Sequence, residues 1–148
     1  MRSIRCVAAF ILSFVFIQWM AFAQSPNYKH IGHTGEIQDE RGNKLGKVTK
    51  DQIILDNKGK KIAFIDNQGN LVDAQTNQKL GRIGKDGKTY YNAAGQVELT
   101  VKDNGKTCDV LDAKGNKIGN VHSSLKGSAC ALVCFQERHL KKPNQQKP

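Results

Sequence analysis

Apolar and polar positions alternate along short segments of the chain, and these segments recur. Five times, an apolar residue followed by Asp or Asn precedes a polar turn. After each turn comes a short segment in which apolar and polar residues alternate, and in four copies this segment begins with Lys. The turns centre on Gly42, Gly59, Asn77, Gly95 and Gly115, at steps of 17, 18, 18 and 20 residues. A fixed period of this length indicates stacked copies of one supersecondary unit that bury a shared core.

Each copy predicts two strands of four or five residues joined by tight turns. In Asp56-Asn57-Lys58-Gly59, Asp at the first position and Gly at the fourth are typical of a type I turn with a left-handed exit residue. Further turns such as Lys85-Asp86-Gly87 predict the return strand, because Asp-Gly between apolar runs favours a hairpin. No helical period appears between residues 31 and 121, so the fold class is all-β.

A small residue recurs on one face of the strand that follows each turn. Two residues after its first position the five copies have, in order, Gly46, Ala63, Gly81, Leu99 and Gly119. We expect these positions to converge on a central axis, since small residues permit close backbone approach; the alternative is that each marks a β-bulge. The residues assigned structural roles are Gly42, Gly46, Gly59, Ala63, Gly81, Gly95, Gly115 and Gly119.

The two ends of the chain differ from the repeats. Residues 1–23, with Arg2, Arg5, an apolar run and Ala21-Phe22-Ala23, predict a cleaved signal peptide, with an uncleaved anchor as the alternative. A single domain over 24–135 follows, exported to the periplasm or the exterior without a stable membrane span. The apolar run at 129–135 predicts a buried closing strand, and 136–148 a basic, disordered tail.

The repeated Asp-x-x-Gly-x-Lys-Ile-Gly-x-Val phrase, with the leader and the apolar closing run, resembles the five-fold β-flower proteins, which are small exported bacterial proteins. The resemblance covers roughly residues 30–135. It implies five hairpins arranged like petals around a pseudo-five-fold axis, in a propeller-like ring. It implies export and supplies no catalytic residue.

Charge gives the main indication of a partner. The net charge is +10, and +8 once the two arginines of the leader are removed, which is compatible with an anionic or carbohydrate component of the envelope or a protein partner. The even spread of the lysines over the repeats favours the other interpretation of the charge, a soluble surface rich in Lys. Candidate binding residues are Lys47, Lys61, Arg82 and Tyr91. Nucleic acid is not expected, because aromatic residues are sparse and not interleaved with basic ones.

Catalytic chemistry has little support in the sequence. The recurring aspartates lack a converging calcium ligand set and are better explained as acceptors of N–H groups in their own turns. No catalytic residue, metal or cofactor is assigned, and the expected function is a non-catalytic binding or structural module of the bacterial envelope. The alternative is a hydrolase or metal-dependent enzyme using His30, His33 and His122, which a closed ring would bring to its seam.

The cysteines leave two possibilities open. Export favours oxidation, and a disulfide, if present, would join Cys108 to either Cys130 or Cys134. The alternative is three small buried thiols. Cys108 beside His122 would also form a nucleophile–base pair, although nothing in the sequence orients the two.

Overall fold

The computed structural model describes residues 28–136, which form short strands followed by one 3-10 helix. The strands are β1 (Lys29–Ile31), β2 (Glu36–Asp39), β3 (Lys44–Val48), β4 (Ile53–Asp56), β5 (Lys61–Ile65), β6 (Asn70–Asp73), β7 (Lys79–Ile83), β8 (Thr89–Asn92), β9 (Val97–Asn104), β10 (Thr107–Asp112) and β11 (Lys117–His122). The helix spans Ser123–Phe135. The leader predicted over 1–23 and the tail predicted over 136–148, apart from Gln136, lie outside the described residues.

The eleven strands form a closed barrel, which confirms the all-β prediction. From β2 to β11 each strand pairs antiparallel with the next, as expected for strands joined by tight turns. β1 also pairs antiparallel with β2, and its other edge pairs in parallel with β11, where Lys29 lies opposite Gly119 and Ile31 opposite Val121. This parallel pair closes the barrel, so the strands form a continuous hydrogen-bonded wall.

A register shift recurs at the same place in every copy. In the first copy Ile37 pairs with Gly46 and Gln38 with Lys44, which leaves Leu45 without an opposite residue. The residues bulged in this way are Leu45, Ile62, Leu80, Glu98 and Ile118. Each bulge directly precedes one of the five recurrent positions, which are Gly46, Ala63, Gly81, Leu99 and Gly119. A β-bulge therefore accompanies every one of these positions.

Side-chain oxygens hold the turns at one end of the barrel, as predicted. In the second copy Asp56 Oδ1 accepts the N–H groups of Lys58 and Lys60, both at 2.9 Å. The corresponding acceptors are Asp39, Asp73, Asn92 and Asp112. Gly59 has φ +83° and Asn77 φ +57°, the left-handed conformation predicted for the turn exits.

The apolar run at 129–135 is helical, so the prediction of a closing strand was wrong. Because β1 and β11 already pair, the barrel leaves no free strand edge for the run to join. It belongs instead to the Ser123–Phe135 helix, hereafter the plug helix, whose backbone groups can be satisfied within the segment itself. Its residues 128–133 are all buried, and it contacts strands from β1 to β11, including β3, β5 and β9. The second half of the plug helix is apolar all round, which is typical of a helical segment in a protein interior.

The five recurrent positions beside the bulges are all buried, and three of them pack closely against other parts of the interior. A Cβ on Gly46 would lie 2.6 Å from the Phe135 ring, and one on Gly119 would lie 3.2 Å from Leu132 Cδ1. A Cβ on Gly81 would lie 2.3 Å from the Tyr90 hydroxyl. The centre of the barrel is therefore filled largely by the plug helix.

Candidate functional site

Basic and aromatic side chains share the outer surface of strands β5, β7 and β8. Alternation directs Phe64, Arg82 and Tyr91 outward, because each follows a buried residue on its strand. The bulges at Ile62 and Leu80 change the alternation, so the lysine before each of them is exposed on the same side. We call this surface the basic–aromatic face. It consists of Lys61, Phe64, Lys79, Arg82 and Tyr91.

Two cations of this face lie over aromatic rings. The Lys61 Nζ is 4.4 Å from the centroid of the Phe64 ring, and the Arg82 Cζ is 5.2 Å from the centroid of the Tyr91 ring. Arg82 and Tyr91 are direct cross-strand partners of β7 and β8. Such pairs hold a cation in place through the ring quadrupole and leave its outer side open to a ligand.

The cations of the basic–aromatic face form no ion pair. The ion pairs Lys88–Asp103 at 3.1 Å and Lys117–Asp109 at 2.8 Å lie on other parts of the wall. The Asp109 carboxylate raises the pKa of Lys117 through its hydrogen bond. Lys79 acts electrostatically on Asp66, although less than the hydrogen bonds from Asn70 and Gln68 that lower the pKa of that carboxyl. Lys61 and Arg82 thus supply the positive charge that the face offers to a ligand.

The structure separates the four predicted binding residues into two groups. Lys61, Arg82 and Tyr91 lie on the basic–aromatic face, whereas Lys47 lies on β3 and lines a different cavity. Sequence reasoning missed Phe64. The signal was its position, because Phe64 occupies in the second copy the place of Lys47 in the first and Arg82 in the third.

A cavity of about 780 Å³ lies at the seam where the barrel closes, and we call it the seam cavity. Its polar side chains come from the loop after β1, from the end of β3 with its following turn, and from the start of the plug helix. They are His33, Thr34, Lys47, Thr49, Lys50, His122 and Ser124. The rings of His33 and His122 meet edge to face with centroids 5.4 Å apart. The expectation that closure would bring these two histidines together is confirmed.

The third seam histidine has a different environment. His30 lies opposite Asn120 across the β1–β11 pair, and its Nδ1 contacts the Asn120 Oδ1. Within residues 28–136 there is no group of three or more His, Cys, Asp or Glu side chains that could hold a metal ion.

The opposite end of the barrel has a smaller cavity of about 460 Å³. The bulged residues Leu45, Ile62 and Leu80 line it together with Cys134 and Phe135 from the plug helix. Asp56, Asn57 and Asp73 form its polar edge, where the turn hydrogen bonds already engage the aspartates. The bulged side chains give this cavity an apolar floor, and Asn57 supplies an amide group at its edge.

The three cysteines within residues 28–136 form no disulfide, and their thiols are held in the protonated form. Burial raises the pKa of the Cys134 thiol to about 12 and also raises that of Cys130. Burial likewise raises the pKa of Cys108, whose Sγ donates to Asp103 Oδ1 at 3.3 Å. Cys108 is fully buried, whereas His122 lies on the partly exposed face of β11, so this candidate pair is not brought together.

The described part of the chain contains no helix long and apolar enough to span a membrane. No protein-family model matches the chain, and no curated protein or solved structure matches it either.

Proposed function

We propose that this protein is an exported, non-catalytic binding module of the bacterial cell envelope that holds an acidic polysaccharide on its basic–aromatic face. The observation that carries the proposal is the pair of cation–ring contacts, Lys61 over Phe64 and Arg82 over Tyr91, on alternate strands of one outer surface. Export is supported by the charged, apolar and small-residue order of residues 1–23.

The chemistry of the face fits both parts of such a ligand. The half-buried rings of Phe64 and Tyr91 offer some apolar surface for contact with sugar rings. Lysine and arginine bind carboxylate or sulfate groups through charge-assisted hydrogen bonds. Strands lie about 4.8 Å apart, so β5 and β7 present their cation–ring pairs roughly 10 Å from one another. A single sugar unit is held weakly by one such pair, whereas a polymer gains from contacting both.

We also infer that the five copies are related by a pseudo-five-fold axis, as the resemblance to β-flower proteins implies. The inference is supported by three features that each copy repeats: the bulge, the acceptor oxygen at the turn and the buried residue that follows the bulge. The outward residues, in contrast, differ from copy to copy. Binding specificity would then reside in the outward side chains of particular copies.

The test measures retention of the purified protein on alginate, a polymer of uronic acids, with neutral dextran as the reference polymer. We expect binding to alginate that weakens with salt and little binding to dextran. The double variant Arg82→Gln/Tyr91→Ala should lose most of the retention. The matched control is Lys102→Gln, since Lys102 is an exposed cation on β9, outside the face.

Equal loss in the Lys102→Gln variant would mean that total charge, rather than this surface, determines binding, and would overturn the proposal. Undiminished retention of the double variant would do the same. The export part is tested separately by N-terminal sequencing of the protein recovered from a cell envelope extract, where a start near residue 24 is expected.

A further inference from the structure

The seam cavity concentrates hydrogen-bond donors on three sides. His33 and Thr34 come from the loop after β1, Lys47 and Lys50 from the end of β3 and the following turn, and Ser124 from the plug helix. No carboxylate lines the cavity. Glu36, the cross-strand neighbour of Lys47, and Asp51, next to Lys50, do not line it.

Hydrogen bonding determines which nitrogen of His122 is available. The backbone N–H of Ser124 donates to His122 Nδ1 at 3.3 Å, and Ser124 Oγ lies 2.8 Å from the same atom. Because a backbone N–H can only donate, Nδ1 is the acceptor, and the ring proton of the neutral imidazole is on Nε2. His122 therefore offers a donor at its remaining nitrogen.

This tautomer favours an anion over a metal ion. A metal ion needs the lone pair of an imidazole nitrogen, whereas Nε2 of His122 carries the proton and Nδ1 is already engaged. The two ammonium groups of Lys47 and Lys50 would in addition repel a cation. An anion meets two lysines and several hydrogen-bond donors there, beside the apolar side chains of Val48 and Leu125.

We propose that the seam cavity binds a small phosphorylated molecule, with the phosphate group held by Lys47, Lys50 and His122. A phosphate presents several oxygens in a tetrahedral arrangement, which suits donors arriving from three sides, whereas a carboxylate presents two in one plane. The volume of about 780 Å³ exceeds what a phosphate alone would occupy, so the ligand has an organic part. This site is separate from the basic–aromatic face.

The experiment titrates the ¹⁵N-labelled full chain with glucose 6-phosphate and follows the amide shifts, with glucose, glucuronate and inorganic phosphate as comparison probes. We expect saturable shifts confined to residues 33–35, 47–50 and 122–125. Glucose 6-phosphate should cause them most strongly, inorganic phosphate more weakly, and glucose not at all. The variants Lys50→Met and His122→Ala should each weaken binding about tenfold, the usual effect of losing one charge-assisted hydrogen bond.

Arg82→Gln/Tyr91→Ala serves as the matched control and should leave these shifts unchanged, which separates this site from the polysaccharide face. If alginate binding fails while the seam shifts persist, only the proposed function is overturned. The present proposal is overturned by shifts spread over all lysine-bearing strands, by stronger binding of glucuronate than of glucose 6-phosphate, or by unchanged affinity in Lys50→Met. It is also overturned if Zn²⁺ shifts the His33 and His122 resonances while phosphate does not.

Discussion

The barrel wall and the plug helix show two different ways of specifying structure. In the wall, burial alternates residue by residue, as in β4, where Ile54 is buried and its neighbours are partly exposed. In the plug helix, consecutive residues 128–133 are all buried. The wall occurs in five copies and the helix once. A repeated local pattern reveals the wall, whereas the conformation of a uniformly apolar segment depends on the space that surrounds it.

The same contrast predicts where the molecule is most sensitive. The largest loss of stability should come from Leu132→Ala, because Leu132 is buried inside the barrel. Its Cδ1 lies 3.2 Å from where a Cβ on Gly119 would be. Truncation of a buried leucine costs about 2–5 kcal/mol of unfolding free energy. Urea denaturation followed by far-UV circular dichroism measures it, with the exposed Val97→Ala as control.

The shape of that denaturation curve sharpens the comparison. A single transition shifted to lower urea indicates that wall and plug fold as one unit. If the β-sheet circular dichroism signal of Leu132→Ala were lost at the same urea concentration as in the unmodified chain, the barrel would be stable without the packing of the plug helix, contrary to our expectation.

A next smaller effect should follow from adding one methyl group to the wall. A Cβ on Gly81 would lie 2.2 Å from the backbone oxygen of Tyr91, so Gly81→Ala should cost about 1–3 kcal/mol through overpacking. The matched change in the plug helix is Gly127→Ala, where a Cβ meets nothing within 4 Å. That variant should be neutral or more stable. Equal melting temperatures for the two variants would contradict the assigned packing.

A still smaller loss of stability should follow from a substitution at a turn that changes only the backbone preference. Gly59 has φ +83° and open space around its Cβ position, so Gly59→Ala should cost about 1 kcal/mol through left-handed strain. Asn77→Gly, at the corresponding exit with φ +57°, should not destabilise the protein. Thermal unfolding of both variants checks the prediction, and an unaffected Gly59→Ala would refute the role of the positive φ.

Acid should weaken the wall selectively and modestly. Hydrogen bonds from the Asn43 and Asn70 side chains lower the pKa of Asp39 and Asp66 below the usual aspartate value of 3.8, and the Lys88 N–H lowers that of Asp86. A lowered folded-state pKa gives stability that is present above the unfolded value and lost as pH falls through the folded one. The urea midpoint should therefore decrease below about pH 4.

The plug helix contains no acidic residue, so the acid effect belongs to the turns. Replacing Asp66 with Asn should remove part of the pH dependence while leaving the fold intact, since Asn92 holds an equivalent turn in the fourth copy. A pH profile identical to that of the unmodified chain would show that these carboxylates do not contribute.

Much of the wall could be predicted from the sequence because its signals are local. The Asp and Gly positions indicated the turns, and alternation indicated that the two faces of each strand differ. Only the structure shows that Tyr90, and not Tyr91, is the buried tyrosine of β8. Strand β1 was missed, since three residues carry too little pattern. The seam histidines were anticipated only through the idea of closure, and the cation–ring pairs were not anticipated at all.

The sequence by itself determined the strand-and-turn repeat, since hydrogen bonds and φ preferences within a few residues decide it. Only the tertiary structure decided how the barrel closes, that residues 129–135 become a helix inside it, and that His33 meets His122. These outcomes depend on contacts between segments about ninety residues apart, and a run of Ala, Cys, Leu and Val is compatible with either strand or helix until a free edge or an enclosed interior is available.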